Sequence, residues 1–427
     1  MAGVTVDIGT SKIVVRLTRS GTPPPIAERV LPNPQSFAGS DIISRARYAV
    51  ASSSQAKKLR AVTVEAIDSA IHDMLHYQTL GREELGEVVV VGNTVMHHLF
   101  HGLELDSLLS HPYTPSSRRV IETFAPTAGL PSAGSVPCYS PAVIAAFVGS
   151  DASANLASSE VWEYTEPVLI LDIGVNTEIL LWDGEKLWVA SVASGPAFEG
   201  MSFACGVEAG NGAIDTVSID KEADEINYNV IGGGKASGIC GSGVVSLLSE
   251  MLETNLLLKT GSINRELDST RIKSSGSVRY FEMAEKNQDS SECDIYLTQP
   301  EIRDLQLAKS AIAAGIYAVM RECETSVSSV AEVHVTGSFG SSLDFEAAKN
   351  IGMLPAFENS YHVAKADGPS MGAAKILCEP RIKERCHQLT LDAHYVDLEH
   401  NRFFNRAFPV TRLFQPWSSL MVNMNER

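Results

Sequence analysis

One pattern occurs twice in this chain and constrains its fold more than any other: an apolar strand ending in Asp-Ile-Gly, small polar residues, then a second apolar strand. The first copy is Val4-Thr5-Val6-Asp7-Ile8-Gly9-Thr10-Ser11-Lys12-Ile13-Val14-Val15, and the second runs from Val168 to Trp182 with Asp172, Gly174, Asn176 and Thr177 at its turn. Val168-Leu169-Ile170-Leu171 and Ile179-Leu180-Leu181-Trp182 are short apolar runs, as expected of strands covered on both faces. Each turn offers backbone N–H groups to an anion and a glycine that admits close approach. Each also has an aspartate at the strand end that can hold Mg2+ through water. A single Asp-x-Gly turn is ordinary hairpin chemistry. Two copies a domain's length apart imply two related halves that grip one nucleotide from both sides.

Other stretches take their places around these hairpins. Asn33-Pro34-Gln35 lies in a proline-punctuated loop, and Ser40-Asp41-Ile42-Ile43-Ser44-Arg45 reads as a capped helix start. Asp41 and Arg45 are then either an i,i+4 surface pair or residues facing the site. Leu59, Val62, Ile67, Ile71 and Leu75 recur at helical spacing. Glu87 to Val91 reads as a buried strand, and Gly92-Asn93-Thr94 as a turn opening a helix whose N-terminus lies near the site. His97 and His101 on that helix have a spacing that zinc ligands use, but no acidic third ligand accompanies them, so packing or capping is expected. Ser140-Pro141 predicts a helix running to Asp151, its small residues suited to a crossing between the halves and Asp151 near its end facing the phosphates.

Downstream, Ser194-Gly195-Pro196-Ala197-Phe198-Glu199-Gly200 is a rigid loop leaving a strand, and Gly238-Ile239-Cys240-Gly241-Ser242-Gly243 puts a glycine-rich loop at a helix N-terminus, a natural anion site. Thr298-Gln299-Pro300-Glu301 is a capping box, Val333 to Gly340 a strand ending in a glycine turn, and Gly368 to Lys375 the start of a small-residue helix. Composition narrows the partners: 51 acidic against 34 basic residues, a formal net charge of −17, disfavour nucleic acid or an anionic membrane. The 7 cysteines are scattered, without the close pairs of an iron–sulfur or structural zinc site. A strand so near Met1 leaves no room for a signal peptide, and no apolar run approaches the roughly 20 residues of a bilayer span, so a cytoplasmic protein is expected.

The order of these motifs resembles the five-part signature of the acetate and sugar kinase, heat-shock chaperone and actin (ASKHA) superfamily. The resemblance implies an α/β chain with a duplicated ribonuclease-H-like, actin-like ATPase fold. Two mixed-sheet subdomains, residues 1–165 and 166–427, would flank a nucleotide cleft, with a helix at 368–380 crossing back toward the first. It implies phosphate contacts from Gly9, Thr10, Ser11, Gly174, Asn176 and Thr177, to which the glycine-rich loop adds Gly241 and Gly243. Adenosine contacts fall to Gly337, Ser338 and Gly340, where Gly-Ser-Phe-Gly replaces the usual paired glycines. Asp7 and Asp172 would place Mg2+ through water and, with Asp151, form the catalytic set of a slow ATPase.

Within the superfamily, Asn33-Pro34-Gln35 with Ser40 to Arg45, Gly92-Asn93-Thr94-Val95-Met96, Ser194 to Gly200, Gly238 to Gly243 and Gln306-Leu307-Ala308-Lys309 are similar to blocks of the ATP-dependent reductive activators of corrinoid proteins. Those proteins restore the Co(I) state of a corrinoid (cobalamin) cofactor in methyl-transfer proteins. The resemblance implies ATP and Mg2+ as cofactors and a corrinoid protein of a methyltransferase system as partner. Ser194 and Gly195 are expected to face the corrinoid. Nucleotide binding would change the angle of the two halves and so the grip on the partner. Family members usually carry an iron–sulfur segment ahead of the ATPase portion. Here the chain begins at that portion without cluster-binding cysteines, so a separate electron donor is expected. A homodimer is left open. Two other functions share the scaffold: a small-molecule kinase with its acceptor near Asp151 and Glu199, and an actin-like assembly protein.

Overall fold

The first repeat folds as antiparallel strands β1 (Ala2–Ile8) and β2 (Lys12–Arg19), with Asp7 opposite Val14 and Ile8 opposite Ile13. The computed structural model describes the chain except residues 20–21, 201–202, 221–223, 268, 285–290, 292, 338, 340–341 and 421–427. β3 (Thr22–Pro32) adds to β2 as an edge strand, and Pro24 and Pro25 fall where its register with β2 breaks, between the pairs Leu17–Ala27 and Arg19–Thr22, so no ladder bond is asked of them. Asn33 caps a short 3-10 turn (Pro34–Ala38), and α1 (Ile42–Val50) and α2 (Ser53–Tyr77) follow, capped by Asp41 and Ser52. β4 (Leu85–Gly92) returns parallel to β1, and Asn93 caps α3 (Thr94–His101). β5 (Ile121–Phe124), the single turn α4 (Ala125–Ala128), β6 (Pro137–Ser140) and α5 (Ser150–Ser159) come next. The sheet order is β3-β2-β1-β4-β6-β5, with β4 and β6 parallel.

Residues 141–149 do not form the helix that Ser140-Pro141 predicts. Ser140 ends β6, and the N–H groups of Ile144 and Ala145 both donate to Val148 O in a narrow turn. β-Branched Val143 and Ile144 favour extended backbone, and Thr94 Oγ1 donates to Ala145 O at 2.7 Å, supplying from outside a partner that a helix would have supplied from within. The helix begins at Ser150, so Asp151 sits in its first turn instead of its last.

The second repeat folds the same way. β7 (Val168–Ile173) and β8 (Asn176–Trp182) are antiparallel, with Asp172 opposite Glu178, and β9 (Leu187–Ala193) lies beyond β8. β10 (Ala213–Asp220), β11 (Glu225–Val230) and β12 (Gly238–Ile239) form a small sheet that leads into α6 (Gly241–Glu253). A meander of β13 (Ile272–Ser275), β14 (Val278–Ala284) and β15 (Ile295–Thr298) follows. Thr298 and Glu301 then close the reciprocal capping box of α7 (Gln299–Glu322), as their spacing predicts. β16 (Glu332–Gly337) runs parallel to β7, α8 (Phe345–Asn350) follows, and β17 (Tyr361–Ala364) runs parallel to β16. The order β9-β8-β7-β16-β17 therefore repeats β3-β2-β1-β4-β6. The chain continues through α9 (Gly368–Cys378), α10 (Pro380–Asp392), β18 (His394–Tyr395), paired with Trp188 and Val189, and α11 (Arg402–Thr411).

These elements group into two compact units, Met1–Thr165 with Gly184–Val189 and Asp367–Tyr395, and Glu166–Asp183 with Ala190–Ala366 and Val396–Arg427. In the first unit, Val4, Val6 and Ile8 of β1 pack with Leu59, Ile67, Ile71 and Met74 of α2, while α9 packs on β1, β4 and α5. Burying one such side chain contributes about 1.5–3 kcal/mol, so the covered sheet holds the polar turns in place. Among the described residues no helix is long and apolar enough to cross a membrane.

Candidate functional site

In the first unit the C-terminal ends of the parallel strands gather polar residues, where open α/β sheets present their ligand-binding loops. Asp7 is half-buried, one residue from the end of β1. Asn33 Nδ2 donates to Gly9 O at 2.8 Å and its backbone N–H to Ser11 O at 2.8 Å, so one buried residue ties both ends of the turn. Asn93 Nδ2 donates to Thr10 Oγ1 at 3.3 Å while its Oδ1 accepts the N–H of Met96. Both asparagines work on the acceptor side of the turn, donating to its carbonyl and hydroxyl oxygens. Ser150 Oγ lies 3.1 Å from both the N and the O of Gly92, which fixes the start of α5 at the end of β4. Desolvation pushes the Asp151 carboxyl up to about 6 against the backbone N–H of Ala152, giving a group that can exchange a proton near neutrality.

Asp41 and Arg45 are not the surface pair their spacing allows. Asp41 spends its carboxylate on the N–H and hydroxyl of Ser44, and Arg45 is 2% exposed with Nε donating to Gly39 O at 3.0 Å. The histidines of α3 pack as neutral rings: His98 Nδ1 lies 2.8 Å from Thr94 O, and His101 Nε2 lies 2.8 Å from Ser140 Oγ. Burial lowers His97 well below the ordinary range and His98 and His101 to about 4. Among the described residues, potential metal ligands gather three at a time only at exposed Asp397, Glu399 and His400.

The second turn is braced from the other side. Gly195 N–H donates to Val175 O at 2.8 Å, and Glu199 Oε1 accepts the N–H of Val175 at 3.1 Å. Ser194 Oγ donates to Gly174 O at 2.9 Å and lies 2.8 Å from Thr177 Oγ1. Ser194 and Thr177 are both buried, so the hydroxyl expected to face a corrinoid is turned into the hairpin. Gly195 is half-buried with open space where a side chain would stand, and Asn176 begins β8, also half-buried.

Gly337 ends β16 opposite Ile173, with φ +91°. A Cβ there would lie 2.3 Å from Ile173 O and 2.6 Å from Asp172 Oδ1, so only glycine lets the strand end against the aspartate. Gly92 holds the matching position opposite Ile8 in the first unit. Ser338 and Gly340 lie outside the described residues; Phe339, between them, packs its ring 5.3 Å from that of Phe198. Gly241 and Gly243 open α6, yet they are buried, and a Cβ on either would come within 2.2 Å of Phe198 O or Ile214 O. Both positions let the start of α6 pack closely against backbone. Gln306 and Lys309 fasten the C-terminal segment by donating to Arg412 O and Leu413 O, and burial lowers the Lys309 ammonium to about 7.

Asn33, Asn93, Ser150 and Glu199 carry the support of the turns, and none was legible as such from spacing. The cap-forming asparagines before a proline and before Thr94 were the available signals. Asp7 and Asp172 are each a carboxylate next to a strand end and followed by a glycine turn, the hard oxygen type that magnesium favours, and Gly337 keeps side-chain bulk away from Asp172.

A repeated mixed sheet with an Asp-Ile-Gly hairpin at the same strand ends defines an ASKHA nucleotide-binding protein. The chain belongs to the family described as the C-terminal domain of RACo, the ASKHA domain, whose family model matches residues 166–423, and residues 2–163 match the RACo middle region. It is similar to the corrinoid activation enzyme RamQ of Eubacterium limosum, 28% identical over 421 residues, covering 96% of this chain and 70% of that protein. It is also similar to the [Co(II) methylated amine-specific corrinoid protein] reductase of Methanosarcina barkeri, 22% identical over 387 residues, covering 84% of this chain and 66% of that protein. A solved structure of a reductive activator for corrinoid,iron-sulfur protein superposes with a TM-score of 0.88 at 27% identity, covering 98% of this chain and 66% of the other.

Proposed function

We propose that this chain is an ATP-dependent activator of a corrinoid protein, assisting the reduction of Co(II) to Co(I) that returns the cofactor to methyl transfer. The observation that carries this reading is the match of both units, nearly end to end, to one family of reductive activators. In this reading Asp7 and Asp172 hold Mg2+ through water, and the turns at Gly9–Ser11 and Gly174–Thr177 donate N–H groups to the phosphates. Gly337 keeps the adenosine side of the site open. Bound ATP supplies the free energy for an unfavourable electron transfer. Asp151, with its proton affinity near neutrality, is the group suited to accept a proton from water in slow hydrolysis.

The test is co-purification of a corrinoid protein with this chain, with and without Mg-ATP, followed by the visible spectrum of the Co(II) form under a chemical reductant. ATP-dependent appearance of Co(I) is expected. Turnover of ATP that depends on a small-molecule hydroxyl, with no effect on any corrinoid spectrum, would reassign the chain as a kinase.

A further inference from the structure

The loop from Ser194 to Gly200 meets the second hairpin on its donor side. Glu199 Oε1 accepts the Val175 N–H at 3.1 Å and lies 3.2 Å from the place a Cβ on Gly174 would take. The first hairpin has no such arrangement among its described braces: Asn33 and Asn93 are neutral amides that donate to its oxygens. A carboxylate therefore holds a donor of the second turn, whereas amides hold oxygens of the first. The loop that carries it has an open glycine at its start, Gly195, and is anchored at its end, where a Cβ on Gly200 would lie 2.2 Å from Val207 O. Gly195 and Gly200 flank the 3-10 turn Pro196–Glu199, both at φ +73°, and no atom lies within 4 Å of a Cβ built on Gly195.

We propose that Glu199 is a positioning residue that stands in for a phosphate: it holds the Val175 N–H until a nucleotide phosphoryl oxygen takes that donor, and its displacement loosens the Pro196–Glu199 turn while Ser194 and Gly195 stay tied to the hairpin. This rests on the nucleotide reading given above and adds the residue that sets affinity and reports occupancy. One N–H cannot serve two anionic acceptors at full strength, and the two anions repel at this distance. When the carboxylate leaves, the loop loses this tie to the turn. It keeps the hydrogen bonds from Ser194 and Gly195 to the Gly174 and Val175 carbonyls, so any shift of the turn is passed to it.

The experiment compares the full chain with Glu199→Gln, which keeps size and an acceptor oxygen but removes the charge, and with Glu199→Asp, which keeps the charge on a shorter stem. Mg-ADP and Mg-ATP affinities are measured by titration calorimetry, and exchange of the Val175 and Gly195–Gly200 amides by hydrogen–deuterium mass spectrometry. Glu199→Gln is expected to bind nucleotide about tenfold more tightly than the wild type. Its loop should exchange quickly without nucleotide, whereas the wild-type loop should do so only on adding Mg-ATP. Glu199→Asp should show the fast loop exchange without tighter binding. Equal or weaker binding by Glu199→Gln, or a wild-type loop whose exchange ignores nucleotide, overturns the proposal while nucleotide binding by the wild type still stands. A wild type that binds no nucleotide overturns both readings.

Discussion

The two Asp-Ile-Gly hairpins share strand order and a glycine-ended parallel neighbour, yet Ile8 pairs with Ile13 where Ile173 pairs with Thr177, one residue sooner, and different chemistry touches the turns. In the first, asparagine amides hold the oxygens of Gly9, Thr10 and Ser11 or of their immediate neighbours, and polar Ser150 stands behind Gly92. In the second, a serine hydroxyl holds Gly174 O and a glutamate carboxylate holds Val175 N–H. The strand order, which sheet burial enforces, is common to both. The turn contacts come from loops outside the repeated sheet, and those have diverged.

The largest expected effect tests whether the hairpins are equal partners. Asp7→Ala and Asp172→Ala should each weaken Mg-ATP binding about a hundredfold, a loss of roughly 3 kcal/mol, read by calorimetry. A large loss at one position alone breaks the equivalence. Next come the paired strand-end glycines. Gly337→Ala places a Cβ against Ile173 O and Asp172 Oδ1 at a left-handed φ, and should destabilise by about 3 kcal/mol in urea unfolding. Gly92→Ala meets only Ile8 at its strand, without the left-handed φ, and should cost about half as much. Equal costs would mean that the two strand ends relax alike.

Asn33→Ala, which removes the Nδ2 donor to Gly9 O, should lower stability by about 1–2 kcal/mol and speed exchange at the first turn while leaving the second unchanged. The smallest effect concerns pH. Buried His97 and His98 have folded pKa values below the ordinary 6.5, so the folded state favours neutral rings. Their contribution is whole above about pH 6.5, where the unfolded chain is also neutral. It falls as the pH drops from there through about 4, because the unfolded state takes up protons first. Stability in urea unfolding should therefore decline as the pH falls from 7 to 5, and the slope should be shallower in His98→Gln.

Much of the scaffold was legible because it is local. Continuous apolar runs gave β1, β2, β4, β7 and β8, and the Thr298–Glu301 spacing gave the start of α7. β3 was hidden by its prolines, whose run falls where the register with β2 breaks. The start of α5 was misplaced because Ser140-Pro141 mimics a cap, while the Thr94 hydroxyl that satisfies Ala145 O comes from another element. Arg45 looked exposed because nothing in its spacing reveals the Gly39 carbonyl that receives its Nε.

The sequence by itself determined that two hairpins of one kind exist, where their aspartates fall, and that each is mounted on a buried strand, because strand burial and turn glycines are properties of neighbouring residues. Only the tertiary structure decided what the turns touch: that Ser194 points into the hairpin and not outward, that Gly241 and Gly243 pack against backbone, and that Glu199 holds the Val175 amide. A hydrogen bond between residues far apart in sequence depends on the path of the loop that carries one of them, and no periodicity encodes that path.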